Sequence, residues 1–337
     1  MEQMPTPVKL FPYPNSWYVI ENSEKLKAGE LIEKQIAGKN FVLFRTASGV
    51  ACLADAYCPH LGGHLAKGGH IEGETIVCPF HYFCFDTNGA CVKTGYGTKP
   101  PPKAILKTYP IQEKNGFILY WHHQQQQQPQ WEVPVTDDTD WTEIKTTDYL
   151  LSSHPQETTE NSVDVGHFSV VHKYSNITTL KELSAEGAYL NASYGFNRAP
   201  EGFIGKGTQG IKAEINIHVH GLGYSFVEVD LPEMKLKTRQ YVFPTPIDEN
   251  KINLKIGMSV NKKFKPSKIH PALSLLPKKL LTTILLNKAF TGYAHDVSQD
   301  FKIWENKVYM DNPALAKGDG PIGKYRQWAK QFYNNSI

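Results

Sequence analysis

Residues 58–81 read CPHLGGHLAKGGHIEGETIVCPFH, and this stretch contains two short loops that each offer one cysteine and one histidine. The first loop supplies Cys58 and His60, and the second supplies Cys78 and His81. Zinc modules usually pair like with like, C-x₂₋₄-C and H-x₃₋₅-H, so the mixed pairs fit zinc poorly. A [2Fe–2S] cluster with two thiolates on one iron and two imidazoles on the other needs this donor set. The stretch therefore predicts such a cluster, held between the two loops.

The spacing C-x-H followed by C-x-x-H resembles the Rieske family residue by residue. Respiratory and photosynthetic members of that family carry an additional disulfide at positions that fall here on Gly63 and Phe80. Because neither residue is a cysteine, the resemblance is to the oxygenase and ferredoxin branch. Many oxygenases have Gly-Trp after the second histidine, whereas this chain has Tyr82 and Phe83.

The composition of the 337 residues excludes several classes of protein. The net charge is only +3 and the basic residues are scattered, so nucleic acid is not an expected partner. No window is long and apolar enough for a transmembrane segment, and the N-terminus does not resemble a signal peptide. We therefore expect a cytoplasmic protein. The five cysteines are odd in number and lie in one region, which favours a metal over a disulfide framework, and Cys84 and Cys91 are expected to be buried small residues.

The chain is predicted to contain two domains. Residues 16–122 are rich in short β-branched and aromatic segments such as SWYVI, NFVLFRT and FILYW, which predict an all-β domain. The tract QQQQQPQ has no apolar face, so residues 123–131 are predicted to be a linker. Residues 132–337 would then form the second domain.

The second domain combines predicted strands and helices. EINIHVHG from Glu214 and KINLKIGMSV from Lys251 alternate apolar with polar or small residues, which predicts an antiparallel sheet with one covered face. Helices are expected over 155–174, over 272–290 and over 294–308. The predicted fold class is α+β, and the family resemblance implies a helix-grip (START-like) catalytic domain whose sheet surrounds a C-terminal helix.

Residues 160–172, ENSVDVGHFSVVH, form a second candidate metal site. On a regular helix His167 and His172 would point about 140° apart, too far for one ion unless the helix bulges or ends between them. Asp164 and His167 are three residues apart and would share a face.

The segment matches the motif D-x-x-H-x-x-x-x-H of Rieske oxygenase α subunits, and the resemblance assigns roles to its residues. His167 and His172 would bind one Fe(II) together with a distant carboxylate, as a facial triad. Asp164 would hold His167 in its tautomer and contact His81 of a neighbouring subunit in a head-to-tail homotrimer. Glu160 has no assigned role.

The third iron ligand is expected near the C-terminus. Asp300 fits the D-x-x-I-W pattern of the family, and Asp296 and Glu305 are the other candidates. His218 and His220 alternate along a predicted strand and are interpreted as residues of its polar face.

The resemblance implies an O₂-dependent oxygenase that receives electrons from an NAD(P)H-linked flavin reductase, directly or through a ferredoxin. The chain has no G-x-G-x-x-G strand-turn-helix unit for binding the nicotinamide itself. Its motifs and length are similar to the 3-ketosteroid 9α-hydroxylase and cholesterol 7-desaturase subgroup, which implies hydroxylation or desaturation of a sterol.

Two alternatives to a sterol oxygenase remain. One is an oxygenase acting on aromatic acids or as an N- or O-demethylase, and the other is a Rieske electron-transfer protein without oxygenase activity. The Leu-rich helix 275–286, with Lys278, Lys279 and Lys288 nearby, is expected to pack on the sheet. A peripheral role at a membrane is the alternative for this helix.

Overall fold

The computed structural model describes residues 9–198, 210–269 and 275–333, and the chain divides into two compact units. The first unit comprises Trp17–Val135 and Thr245–Glu249, and the second comprises the other described residues. The Gln-rich tract lies in the first unit. There the carbonyl of Gln127 accepts a hydrogen bond from the indole of Trp121, and the carbonyl of Trp131 accepts one from Trp17.

The first unit is built from short antiparallel strands in three sheets, ordered β1-β11-β10, β2-β3-β4-β9 and β5-β6-β7-β8. The strands are β1 (Ser16–Asn22), β2 (Leu31–Ile36), β3 (Lys39–Arg45), β4 (Ala51–Asp55), β5 (His70–Glu72), β6 (Thr75–Val77), β7 (Cys84–Phe85), β8 (Cys91–Lys93), β9 (Thr108–Tyr109), β10 (Ile111–Lys114) and β11 (Phe117–His122). Alternate β-branched and aromatic side chains fill the spaces between the sheets, and Phe41, Leu43 and Ile118 are fully buried. The two loops with cysteine and histidine lie between β4 and β5 and between β6 and β7.

The second unit contains one seven-stranded sheet in the order β12-β18-β17-β16-β15-β14-β13. Its strands are β12 (Lys145–Leu151), β13 (Ser175–Glu186), β14 (Tyr189–Arg198), β15 (Ile211–His220), β16 (Tyr224–Leu231), β17 (Leu236–Pro246) and β18 (Ile252–Val260). Neighbouring strands β13 to β17 pair antiparallel, for example with Tyr189 opposite His220.

Five α-helices of the described residues belong to the second unit: α1 (Pro155–Glu160), α2 (Gly166–Val170), α3 (Pro266–Ile269), α4 (Lys278–Trp304) and α5 (Ile322–Ala329). Short 3-10 helices span Ser23–Lys25, Pro232–Met234 and Lys330–Phe332. Helix α4 packs on the sheet through Phe290, Tyr293 and Val297, which contact apolar residues of β18 such as Leu254 and Ile256. The α+β class and the antiparallel sheet around a C-terminal helix are thus confirmed.

The predicted helix boundaries need correction. The helix expected over 155–174 is two short helices separated by residues 161–165, and those expected over 272–290 and 294–308 are one helix of 27 residues. Residues 272–274 lie outside the described part of the chain. Pro277 does not interrupt α4 because it stands at its N-cap, before the first helical residue, where no N–H is needed. Helix α5 was not expected.

None of the helices in the described ranges is long and apolar enough to cross a membrane.

Candidate functional site

The two cysteine–histidine loops share one backbone geometry. In the first, the N–H of Cys58 donates to Gly63 O (2.8 Å) and the N–H of Gly62 donates to Cys58 O (2.9 Å). In the second, the N–H of Cys78 donates to Phe83 O (2.9 Å) and the N–H of Tyr82 donates to Cys78 O (3.1 Å). Gly62 and Tyr82 therefore occupy equivalent positions, and both have a positive φ, +74° and +53°. The matched turns aim two thiols and two imidazoles at the space between the loops.

The four side chains fit a Rieske cluster. Cys58 and Cys78 are buried, and the rings of His60 and His81 lie 4.8 Å apart, centroid to centroid. The buried Nδ1 of His60 has no hydrogen-bond partner within the described residues, which suits a nitrogen that coordinates a metal. Burial raises the pKa of the Cys58 thiol to about 12, so a thiolate at this position needs a compensating cation.

Two glycines near these loops have different functions. A Cβ on Gly63 would lie 3.1 Å from the sulfur of Cys78, so a side chain here would press on a predicted ligand. A Cβ on Gly89 would lie 1.8 Å from the carbonyl oxygen of Leu106, so this glycine is required for backbone packing beyond β7.

The break between α1 and α2 positions the first histidine of the second site. The N–H of His167 donates to the Asp164 carboxylate (3.2 Å), and its ring Nδ1 donates to the carbonyl oxygen of Asp164 (2.5 Å). Because a carbonyl can only accept, Nδ1 carries the hydrogen and Nε2 presents a lone pair. The main-chain oxygen of Asp164, rather than the carboxylate predicted for this role, therefore fixes the tautomer.

The second histidine follows the end of α2. Helix α2 ends at Val170, between the two histidines, and Lys173 then takes a positive φ of +60°. The ring Nδ1 of His172 bonds Oε1 of Gln299 (3.0 Å), which leaves Nε2 facing Asp300 Oδ2 at 3.6 Å. The spacing that a regular helix could not accommodate is thus explained by a helix end.

His167, His172 and Asp300 converge, with one potential ligand atom from each lying within 4.8 Å of the others. Two imidazoles and one carboxylate are the donor set of a mononuclear non-heme Fe(II) site. Burial raises the pKa of Asp300, and the two histidines oppose this effect. Asn161 also hydrogen-bonds the carboxylate of Asp300 and accepts a hydrogen bond from the indole of Trp304 (3.3 Å).

The other carboxylates considered from the sequence lie elsewhere. Asp296 forms a bidentate pair with Arg198, at 2.8 and 2.9 Å, and accepts a hydrogen bond from the hydroxyl of Tyr174 (3.4 Å). Glu305 is exposed after the end of α4. Glu160 is buried and pairs with Arg326 of α5, at 2.6 and 3.0 Å, so its contact is one that joins α1 to α5.

The remaining histidines and cysteines are separate from the triad. His218 bonds Tyr189 and Asn216 and stacks on Phe226 at 4.6 Å, and His220 stacks on Tyr189. Neither histidine lines the cavity described below. Cys84 is buried as expected, whereas Cys91 is partly exposed.

A cavity of about 430 Å³ lies beside the triad, between the sheet and α4. Its walls are mainly aliphatic side chains of β15 to β18, among them Ile215, Ile217, Val227 and Val229. Leu285 and Asp300 of α4 both line it, and at about 1.5 Å per residue they are about 22 Å apart along the helix. The cavity therefore extends along α4 between mainly apolar walls, and His167, His172 and Asp300 are among its lining residues.

Several residues that shape the site were not anticipated. Asn161 and Gln299 hold the side chains of predicted ligands, and Arg198 neutralises a competing carboxylate. Gln299 is adjacent to Asp300 in sequence, so its proximity to the predicted iron ligand could have indicated a role at the site. Asn161 and Arg198 depend on long-range packing that no local pattern encodes.

Comparisons with known proteins agree over nearly the whole chain. Residues 16–110 match the family described as the Rieske [2Fe-2S] domain, and residues 120–333 match the 3-Ketosteroid 9alpha-hydroxylase C-terminal domain. Cholesterol 7-desaturase nvd of Drosophila melanogaster is 31% identical over 352 residues, covering 96% of this chain and 76% of that protein. A probable 3-ketosteroid-9-alpha-monooxygenase oxygenase component of Rhodococcus rhodochrous is 27% identical, covering 95% and 80%.

Solved structures are similar in fold. Dicamba monooxygenase bound to dicamba has a TM-score of 0.67 at 17% identity, covering 96% of this chain and 98% of that one. NdmA of Pseudomonas putida CBB5 with caffeine has a TM-score of 0.66 at 15% identity, covering 93% and 89%. At these identities the likeness shows the fold and carries no information on substrate.

Proposed function

Because the chain belongs to the Rieske non-heme iron oxygenases with a 3-ketosteroid 9α-hydroxylase C-terminal domain, we propose that it oxidises an elongated, sterol-like substrate. As the oxygenase component of such a system, it requires a [2Fe–2S] cluster, a mononuclear iron and a reductase or ferredoxin. The family membership disfavours the alternative of a pure electron carrier.

The proposed ligands are those that converge in the structure. Cys58, His60, Cys78 and His81 would hold the cluster, and His167, His172 and Asp300 would hold the mononuclear iron. The iron, with electrons from the cluster, supplies the activation of O₂ next to the substrate carbon. The residues around it orient the ligand atoms: Asp164 and Gln299 keep both Nε2 atoms free of hydrogen, and Asn161 holds the carboxylate of Asp300.

The length and apolar lining of the cavity carry the substrate proposal. A rigid apolar molecule that fills the space from Leu285 to Asp300 displaces water from aliphatic walls, which favours binding. Gln240 and Thr238 line the same cavity, and neither side chain has a hydrogen-bond partner within the described ranges. They are available to bind one polar group of the substrate and so to fix its direction.

The same cavity argues against an aromatic acid as substrate. Arg198 is the arginine among its lining residues, and its charge is already compensated by the bidentate pair with Asp296. A substrate carboxylate that binds Arg198 would have to displace that pair and leave the partly buried Asp296 without its arginine. A neutral sterol makes no such demand. The relatives in the comparisons include both a desaturase and monooxygenases, so the proposal covers either outcome of the oxidation.

A substrate panel tests the proposal. The enzyme loaded with both metals and supplied with a competent reductase should convert sterols or 3-ketosteroids, with O₂ and NAD(P)H consumed in proportion to product. Mass analysis of the product separates a hydroxylated from a desaturated sterol. Efficient turnover of benzoates or N-methyl compounds, combined with no binding of sterols, would overturn the proposal. A His167→Ala variant, which retains the cluster ligands, controls for oxidation independent of the mononuclear iron.

Assembly and location are also part of the proposal. By family resemblance we propose a head-to-tail homotrimer in which Asp164 of one chain contacts His81 of the next. The Asp164 carboxylate suits this contact because its side chain keeps about a third of its surface exposed. The proposed location is cytoplasmic, since none of the five cysteines, all of which lie in the described residues, forms a disulfide.

A further inference from the structure

The first half of α4 carries apolar side chains on two neighbouring sides, about 100° apart. Leu281 and Leu285 are buried against Val260 and Phe264. Leu280 and Ile284 lie on the other side and are 50% and 40% exposed, and Leu275, just before the helix, is 87% exposed. Apolar side chains of a helix normally face a partner, but Leu280 and Ile284 are not buried by any residue that the structure describes.

The exposed apolar residues are surrounded by positive charge. Residues 250–295 contain nine lysines and no aspartate or glutamate. Lys278 and Lys279 are exposed beside Leu280, and Lys265 and Lys268 are exposed in and next to α3. None of these four lysines has an acidic partner among the residues that the structure describes. Exposed leucines combined with unpaired lysines are the composition of segments that lie in the interface of an anionic bilayer.

The same part of α4 also forms a wall of the substrate cavity. Leu285 and Lys288 line the cavity and lie within about one turn of Ile284. This end of α4 is remote from the iron ligands, because Asp300 is about 22 Å farther along the helix. If a molecule enters the cavity next to Leu285, the end that enters first would thus reach His167, His172 and Asp300. A sterol is nearly insoluble in water and resides in membranes, so this is the end at which it would be delivered.

We propose that Leu275, Leu276, Leu280 and Ile284, with Lys278 and Lys279, form a surface that binds an anionic phospholipid bilayer and admits the substrate from it. This Leu–Lys surface places its leucines among the acyl chains and its lysines at the phosphate level. The delivery of substrate rests on the proposed sterol oxidation, whereas binding to a bilayer can be measured independently of it.

Vesicle flotation of the enzyme loaded with both metals tests the binding. Vesicles of phosphatidylcholine with phosphatidylserine should bind the protein, vesicles of phosphatidylcholine alone should bind it much less, and high salt should release it. Lys278→Glu/Lys279→Glu should weaken binding by at least about tenfold, since each lysine near an anionic surface contributes a measurable part of the attraction. Leu280→Ser/Ile284→Ser should weaken it in both low and high salt.

Matched variants control for charge and for apolar area. Lys317→Glu/Lys324→Glu makes the same change of charge at exposed lysines elsewhere, and Leu150→Ser/Leu180→Ser removes two exposed leucines from the sheet. Both should bind vesicles like the unmodified protein. Equal binding to neutral vesicles, no binding at all, or equal losses in the control variants would overturn the proposal. The proposal also fails if the Leu–Lys substitutions instead abolish self-association or raise the KM for the reductase.

Turnover separates this proposal from the proposed function. With sterol supplied in anionic vesicles, Lys278→Glu/Lys279→Glu should lower kcat/KM at least about tenfold. With sterol supplied in detergent micelles, the same variant should match the unmodified enzyme. If vesicles bind but no sterol is oxidised in either form, the substrate assignment fails and the membrane surface stands. If sterol is oxidised equally from vesicles by both proteins, the surface fails and the substrate assignment stands.

Discussion

Tyr82 adopts a left-handed backbone conformation, with φ +53°, in the turn that follows His81. The equivalent position of the first loop is Gly62, which accepts a positive φ without strain. A residue with a Cβ has a cost of about 1–2 kcal/mol in this conformation. Tyr82 is 58% exposed, so burial of its side chain offsets little of that cost. Tyr82, which replaces the glycine of the Gly-Trp pattern, therefore adds backbone strain as well as changing the packing.

We predict that Tyr82→Gly stabilises the cluster-loaded protein by about 1 kcal/mol, because relief of strain exceeds the added entropy of the unfolded chain. Urea unfolding monitored by circular dichroism measures the change. Tyr82→Ala removes the same ring but keeps a Cβ, so it should remain less stable than Tyr82→Gly. Equal stability of the two variants would show that the backbone of this turn is not strained.

Asp300 and Asp296 are one helical turn apart, yet their surroundings differ. Asp300 faces two imidazoles, whereas Asp296 is compensated by Arg198. We predict that Asp300→Asn lowers the iron content from about three to about two atoms per chain and leaves the cluster spectrum unchanged. Asp296→Asn should retain all of the iron. Metal analysis by mass spectrometry decides, and loss of iron in Asp296→Asn alone would reassign the third ligand.

At the scale of elements, His154 determines how α1 begins. Its Nδ1 accepts a hydrogen bond from the N–H of Gln156 (3.1 Å), and its Nε2 donates to the carbonyl of Phe11 (2.9 Å). The bond at Nδ1 needs a neutral imidazole, since a protonated Nδ1 cannot accept, whereas Nε2 donates in either protonation state. Burial lowers the pKa of His154 from 6.5 to about 4, and the Phe11 carbonyl opposes this shift.

The lowered pKa of His154 predicts that the protein loses stability in acid. Between pH 6.5 and 4 the unfolded chain binds a proton at this residue and the folded chain does not, so the free energy of unfolding falls as the pH falls. The loss should approach about 3 kcal/mol near pH 4. Thermal unfolding at a series of pH values measures it. His154→Asn caps the helix without titrating and should show a smaller slope, whereas an unchanged slope would assign the acid lability to other groups.

The elements also show what local patterns can predict. Alternation in β15 and β18 and the β-rich segments of the first unit correctly indicated strands. In β15 the alternation also matches burial, whereas β18 is buried on both faces, including Lys255 and Ser259. The break at residues 161–165 was not predicted, because this segment is stabilised by distant groups. Gly320 packs against the carbonyl of Val163, and Asp319 accepts the N–H of Val165 (3.0 Å). Such contacts leave no trace in the periodicity of the segment itself.

At the scale of the whole molecule, the two metal sites must exchange electrons, and the proposed route crosses a subunit boundary. We predict that the protein has the mass of three chains of 38.0 kDa in light scattering. Asp164→Asn should keep both metals but lower turnover about 10- to 100-fold, as substitutions next to metal ligands commonly do. Asp311→Asn, at an exposed carboxylate, should retain full turnover.

Mixed assemblies test the direction of the route. Asp164→Asn and His81→Ala chains each have little or no activity in this scheme, but a trimer containing both has an interface with an intact Asp164 and an intact His81. Co-refolded mixtures should therefore recover part of the activity. No recovery in mixed trimers of demonstrated composition would place electron transfer within a single chain.

The sequence identified the residues that converge at both sites because the motifs bring ligand-type side chains into recognisable spacings. The sequence indicated less about the groups that orient these residues and compensate their charges. That the carbonyl of Asp164 fixes the tautomer of His167 follows from the backbone path, and that Arg198 engages Asp296 follows from a contact across 98 residues. Substrate shape likewise depends on the distance between α4 and the sheet, which no single segment encodes.

Helix α4 is continuous from Lys278 to Trp304, and this has a consequence for regiochemistry. In the proposed function, a rigid fused-ring molecule that slides along this continuous helix would present its carbons to the iron according to its depth of insertion. Homologous substrates that differ only in the tail left near Leu285 should be oxidised at the same ring carbon, whatever the relative strengths of their C–H bonds. Molecules that enter in the reverse direction would be oxidised at the opposite end of the skeleton. If the proposed substrate lies along α4, the length of this helix would select the position of oxidation.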